Sequence, residues 1–155
     1  WDAEFETVKV HRVVQEILRT RQTDPKANLT LALGLLQKSI PEGNAADVRT
    51  WPAWEPLRLH VDSATQHGKR LGIPVPTSDM MGRLGTLLWG KALHREAELL
   101  KRDALAIDEQ HFGSDSPEVA LRLNNLATTL QATNRLSEAE PLMARVVTIF
   151  ENSYG

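Results

Sequence analysis

The 155-residue sequence predicts an all-α fold, a solenoid of antiparallel helix pairs, and three observations carry that expectation. Apolar residues recur at helical steps, as in Leu121, Leu123, Leu126, Ala127 and Leu130, or Leu99, Leu100, Ala104 and Ile107. Breaks containing proline or glycine cut the chain into helix-sized pieces at 24–25, 41–44, 51–52, 72–76, 113 and 116–117. The sequence also matches itself at an offset of 42: Glu96-Ala97-Glu98 with Glu138-Ala139-Glu140, Ile107 with Ile149, and His111-Phe112-Gly113 with Ser153-Tyr154-Gly155. Upstream, Met81, Leu84, Gly85 and Leu88 match Leu123, Leu126, Ala127 and Leu130 in the same register. Repeats of this length, made of two antiparallel helices, stack into a solenoid.

In chain order, 5–10 is the one segment that looks extended, with Val8 and Val10 on one face. A lone strand leaves its backbone unsatisfied, so its partner is expected in another chain or in a preceding segment. The chain starts at Trp1, and Asp2, Glu4 and Glu6 stand where a signal peptide has basic residues, so a processed product or a piece of a longer protein is expected. Helices are predicted at 10–21, 25–39, 52–70, 78–92, 94–111, 117–132 and 136–152. Asp24-Pro25 and Ser116-Pro117 each join an N-cap to a proline at the first helical position. Ser137 and Glu140 have capping-box spacing, and Gly113 stands where a C-terminal glycine belongs. The loop 41–51 is expected to break the 42-residue register.

Composition narrows the function classes. Hydrophobic residues make up 41%, charged residues 25% and aromatics 5%, as in an ordinary globular chain. With no cysteine there is no disulfide framework, thiol nucleophile or Cys-based zinc site. Eighteen basic against twenty acidic residues, with no basic run, argue against nucleic acid or an anionic membrane as partner. The apolar stretch 29–36 is far below the ~20 residues of a membrane span. A soluble, cytoplasmic module is expected.

Catalytic patterns are missing. His60 and His67 are seven apart, where a zinc pair on one helix is more often four apart, and the other histidines are scattered at His94 and His111. Glu96, Glu98, Glu138 and Glu140 recur with the repeat, which favours helix-start electrostatics over acid–base chemistry. No nucleophile elbow and no phosphate-binding loop is found, so no catalytic residue, metal or cofactor is expected in these residues themselves. In a solenoid the first helix of each pair lines the concave surface. Its polar positions are Arg83, Thr86 and Trp89 in one repeat and Asn124, Asn125, Thr128 and Gln131 in the next. Asparagine amides suit the backbone of an extended peptide, Arg83 suits a carboxylate, and Trp89 suits an aromatic anchor or a packing role. Trp51 and Trp54 are expected to anchor the loop structurally.

The pattern Met81, Leu84-Gly85, Leu88, Ala97, Ala104, repeated as Leu123, Leu126-Ala127, Leu130, Ala139, Val146, resembles the tetratricopeptide repeat. The run Leu123-Asn124-Asn125-Leu126-Ala127, with Ser137-Glu138-Ala139-Glu140-Pro141-Leu142, is similar to the kinesin-light-chain subtype. That resemblance implies a right-handed solenoid and a peptide-binding groove in which Asn125 occupies a frequent asparagine position. The segment Ala53-Trp54-Glu55-Pro56-Leu57 echoes 138–142, which gives a degenerate repeat at 25–76 before repeats at 77–113 and 114–155.

Residues 1–22, through Val10-His11-Arg12, resemble the end of the winged-helix module of NB-ARC-type signalling NTPases. Thr50-Trp51-Pro52-Ala53-Trp54 is similar to their bacterial members. This second resemblance implies that His11 senses ADP or ATP in a longer protein, with Arg12 departing from the usual acidic residue. The expected function is therefore a scaffold that receives a peptide or protein segment. The alternatives are a sensor arm of a nucleotide-driven switch, and self-association through Val146, Val147, Ile149 and Phe150 on the last helix.

Overall fold

The computed structural model describes residues 24–154. They form six α-helices: α1 Pro25–Ser39, α2 Trp51–Arg70, α3 Val75–Gly90, α4 His94–Phe112, α5 Pro117–Ala132 and α6 Leu136–Tyr154. A single 3-10 turn, Val48–Thr50, precedes α2, and there is no strand among the described residues. The extended segment 5–10, the helix at 10–21 and His11 lie outside the described residues. Each helix packs against its neighbours in sequence, and the first helices of successive pairs, α1, α3 and α5, also touch. This is the predicted solenoid of antiparallel pairs.

Local sequence explains most boundaries. Asp24 accepts hydrogen bonds from the backbone N–H groups of Lys26 and Ala27 at 3.0 Å, and Ser116 accepts from Val119 at 3.3 Å. Ser137 does not cap α6, because the helix already begins at Leu136. Helix α3 spans Val75–Gly90 rather than 78–92. Pro76 sits in its first turn, where a missing N–H costs nothing, so the Gly72–Pro76 punctuation starts the helix instead of delaying it.

Three helices end the same way. Gly72, Ala92 and Asn134 take left-handed backbone at φ 61°, 61° and 59°. The following N–H groups of Ile73, Leu93 and Arg135 reach back to the carbonyls of Gly68, Leu88 and Leu130 at 3.0, 2.9 and 2.9 Å. Glycine and asparagine tolerate that conformation, whereas Ala92 gives no sequence signal for the end of α3.

Small residues let the paired helices approach. A Cβ added at Gly85 would sit 3.3 Å from the Ala97 carbonyl oxygen and 3.0 Å from Lys101 Cγ. Ala97 and Ala139, each the fourth residue of its helix, are fully covered at 0% and 1% exposure. The fourth residue of α2 is Trp54, also at 0% exposure. An indole fills the first pair where the later pairs use a methyl group. The loop 41–50 then lies along α3: Arg83 donates to the Pro41 carbonyl, and Gly90 faces the Ala46 backbone so closely that an added Cβ would come within 2.8 Å.

The 42-residue spacing survives there in space. Gln37 donates to Asp79 at 3.1 Å, and that pair and Pro41–Arg83 are each 42 residues apart. The expected loss of register at 41–51 therefore does not extend to the contacts between α1, its loop and α3. One apolar cluster runs from Leu33 through Trp54, Val61, Met80 and Leu87 to Ala104. Two smaller ones, around Val119, Leu123 and Ile149 and around Leu126, Leu130 and Ala139, fill the last pair.

Candidate interaction groove

Helices α1, α3 and α5, the first of each pair, touch in succession, and their polar residues divide into committed and open ones. On α5, Asn124, Thr128 and Gln131 are exposed and Asn125 is half-buried. Steps of four and three residues place the exposed three in one stripe along the helix. The Thr128 hydroxyl donates to the Asn124 carbonyl at 2.9 Å, so it is satisfied locally. The side-chain amides of Asn124, Asn125 and Gln131 have no hydrogen-bond partner among the described residues.

The α3 candidates are engaged within the fold. Arg83 donates to the Pro41 carbonyl, and its guanidinium carbon lies 6.0 Å from the Trp54 ring centre. Thr86 donates to the Gly82 carbonyl at 3.0 Å. Trp89 is half-buried against the first apolar cluster, with its indole N–H covered and unpartnered. Trp51 stacks under the Lys91 ammonium at 5.0 Å, which also pairs with Glu55. Trp51 and Trp54 thus act as the structural anchors expected of them.

Charged residues that sequence reasoning passed over sit beneath this surface. Lys101 of α4 is 5% exposed and reaches between α3 and α5. Its ammonium donates to the Thr129 hydroxyl at 2.7 Å and the Asn125 carbonyl at 3.1 Å, and lies 5.9 Å from the Trp89 ring centre. No carboxylate pairs with it among the described residues, and burial pushes its pKa down to about 8. Asp108, 1% exposed, accepts from Arg122 Nε at 2.6 Å through one oxygen, while its other oxygen is buried without a partner. Arg122 also faces Asp79 at 3.7 Å. Gln37, Asp79, Arg122 and Asp108 thus form a polar chain across three pairs.

The outer side is tied differently. Arg135 pairs with Glu98 at 2.5 Å and Glu138 at 2.6 Å, and Arg102 pairs with Glu98 at 2.8 Å. Burial raises the Glu98 pKa, but the hydrogen bonds from Arg102 and Arg135 outweigh it and hold the carboxyl below its usual range. The Arg135 hydrogen bonds likewise hold Glu138 down. A cleft of about 380 Å³ lies between the end of α2 and α4, beside the Lys69–Asp103 pair at 2.7 Å. In the next pair Arg145 stands 42 residues after Asp103, donates to the Ser114 carbonyl at 2.7 Å and pairs with Glu109 at 2.6 Å.

The histidines do not converge. His67 Nδ1–H donates to the Ser63 carbonyl at 2.7 Å, His111 lies edge-on to Phe112 at 4.6 Å, and His60 and His94 are half-buried on different helices. No group of three or more metal-ligating residues occurs among the described residues.

The expected surface on the last helix needs correction. Val146 and Ile149 are 7% and 1% exposed, packed with Val119, Ala120 and Leu123 of their own pair. They are core residues and are not available to a second copy. Val147 and Phe150 remain 53% and 43% exposed.

A protein-family model described as tetratricopeptide repeat matches residues 76–152, the span from the start of α3 to near the end of α6. No curated protein matches the chain. No helix among the described residues is long and apolar enough to cross a membrane.

Proposed function

Residues 76–152 are a tetratricopeptide region, and from that premise we propose that the chain is an interaction module whose inner face receives an extended peptide or protein segment. Tetratricopeptide repeats generally mediate protein–protein interactions. The observation that supports this finer reading is the α5 stripe. Asn124, Asn125 and Gln131 carry amides with no hydrogen-bond partner among the described residues, on α5, the first helix of its pair, which in this reading lines the concave side. An amide offers both a donor and an acceptor, so a row of them matches the alternating N–H and C=O groups of an extended backbone. The α3 residues Arg83, Thr86 and Trp89 shape that face, with their polar atoms turned to the fold.

Within this reading, residues 25–76 are a worn first repeat closed by Trp54 and the loop, followed by repeats at 77–113 and 114–155. The experiment is selection from a displayed library of random dodecapeptides, with the winning peptide mapped by amide chemical shifts. Shifts centred on 121–131 support the proposal. Shifts confined to the outer helices α4 and α6 contradict it.

The second reading is a sensor arm of a nucleotide-dependent switch, supported by the resemblance at Val10-His11-Arg12. In it, ADP or ATP would be bound by a longer protein and sensed by His11. The encoded sequence preceding Trp1 tests it. A glycine-rich phosphate-binding loop with Lys and Ser or Thr supports the switch, and the lack of one contradicts it.

A further inference from the structure

The cleft between the ends of α2 and α4 has a counterpart one pair later that is filled. Lys69, Gly72, Asp103 and Ile107 line the cleft of about 380 Å³. Forty-two residues on from the last three stand Ser114, Arg145 and Ile149. There the Arg145 guanidinium donates to the Ser114 carbonyl at 2.7 Å and pairs with Glu109 at 2.6 Å. Ile149 is covered to 1% exposure, whereas Ile107 is half-buried on the wall of the open cleft. The first pair has the same space and wall, but an aspartate where the second has the arginine.

What the cleft offers suits a cation. Gly68 and Lys69 lie in the last turn of α2, and Gln110 and His111 in the last turn of α4, so both helices end there. The C-terminal end of a helix carries partial negative charge. The Gly72 carbonyl, counterpart of the Ser114 carbonyl, has no donor among the described residues. Pro76, four residues on, has no N–H to give it. The Asp103 carboxylate is met by the Lys69 ammonium at 2.7 Å, with the two side chains 34% and 45% exposed. A pair as exposed as this is weak and yields to a better one.

We propose that this cleft receives an arginine side chain of a partner protein, at a contact point on the outer helices separate from the α5 amides. The guanidinium forks onto the Asp103 carboxylate and donates to the Gly72 carbonyl, while its methylene stem lies along Ile73, Pro74 and Ile107. Lys69 gives up Asp103 and turns to solvent. The cleft's own lysine reaches Asp103 and still leaves the space open, which singles out the planar, forked guanidinium over a second ammonium. Gln110 and His111 at the rim are exposed, so the backbone that carries the arginine stays outside.

The probe is N-acetyl-argininamide, titrated into the isotope-labelled chain beside N-acetyl-citrullinamide, which has a similar shape without the charge. Saturable amide shifts are expected at 68–73 and 103–111, with the citrulline probe at least tenfold weaker. Asp103→Asn should weaken the arginine probe at least tenfold. Lys69→Met should tighten it at least twofold, a gain that a damaged fold cannot produce. Shifts absent or confined to 121–131, equal affinity for the two probes, or an unchanged Kd in Asp103→Asn overturns the proposal. Butylguanidinium binding where the blocked arginine does not also overturns it, and would assign the cleft to a free guanidine.

Discussion

Lys101 holds its ammonium between a hydroxyl, a carbonyl and an indole face, with no carboxylate beside it among the described residues. Below pH 8 the folded chain keeps that proton against the cost of burial. Between its pKa of about 8 and the unfolded value of about 10.4, the unfolded chain binds the proton and the folded chain does not, so stability rises with pH. The span corresponds to a gain on the order of 3 kcal/mol. Lys101→Met should therefore stabilise the chain at pH 7, and its advantage should shrink towards pH 10.5 in urea titrations. An advantage independent of pH would contradict this. Asp108 and Arg122 behave as a pair. Arg122→Met alone strands a buried carboxylate and should cost about 3–5 kcal/mol, whereas Arg122→Met with Asp108→Leu should recover most of that loss. None of these three residues stood out in the sequence, because a charge at a core-facing helical position reads as an interruption. The signal was in the repeat offset. Residues 42 away from Lys101, Asp108 and Arg122 are Met143, Phe150 and Met80, so charge replaces an apolar side chain at each.

Among the elements, the helix ends separate what sequence shows from what only packing shows. Asp24-Pro25 and Ser116-Pro117 mark their helices correctly because the cap chemistry is local. The end of α3 is hidden because Ala92 takes a left-handed conformation that the chain must impose on it. Ala92→Gly should raise stability by about 1 kcal/mol, less the entropy glycine adds to the unfolded chain. A urea midpoint lowered by the equivalent of the full ~1 kcal/mol of glycine's added unfolded-state entropy would show that the turn carries no such strain. The outer seam between α4 and α6 depends on Arg135. Its two carboxylate partners have lowered pKa values, so their contribution is present at neutral pH and is lost as pH falls through those values. Arg135→Gln should flatten the acid side of the stability profile below about pH 4.3, the ordinary glutamate value, and lower it at neutral pH. An unchanged acid limb would exclude that role.

At the scale of the whole molecule, the solenoid was legible because a 42-residue offset and its small residues are written twice in the sequence. The first pair was legible only in outline. Trp54 and the loop 41–50 replace the small-residue contact, and which contacts such a loop makes depends on the surfaces it lies on. The state of the candidate groove residues was legible only in part. Sequence places Arg83, Thr86 and Trp89 on α3, and the Thr86 bond to Gly82 is a local four-residue step, but Pro41 and Lys101 reach Arg83 and Trp89 only through folding. The result is an array whose inner face is built by α3 and left chemically open on α5. The most direct test uses a peptide taken from the selection described above and its affinity for the native chain and for Asn124→Ala, Asn125→Ala, Gln131→Ala. The account predicts at least a tenfold weaker Kd in the triple variant, with a thermal midpoint within about 2 °C of native, since the three amides make no hydrogen bond within the described residues and none is in the core. Equal affinity in the two chains would contradict it.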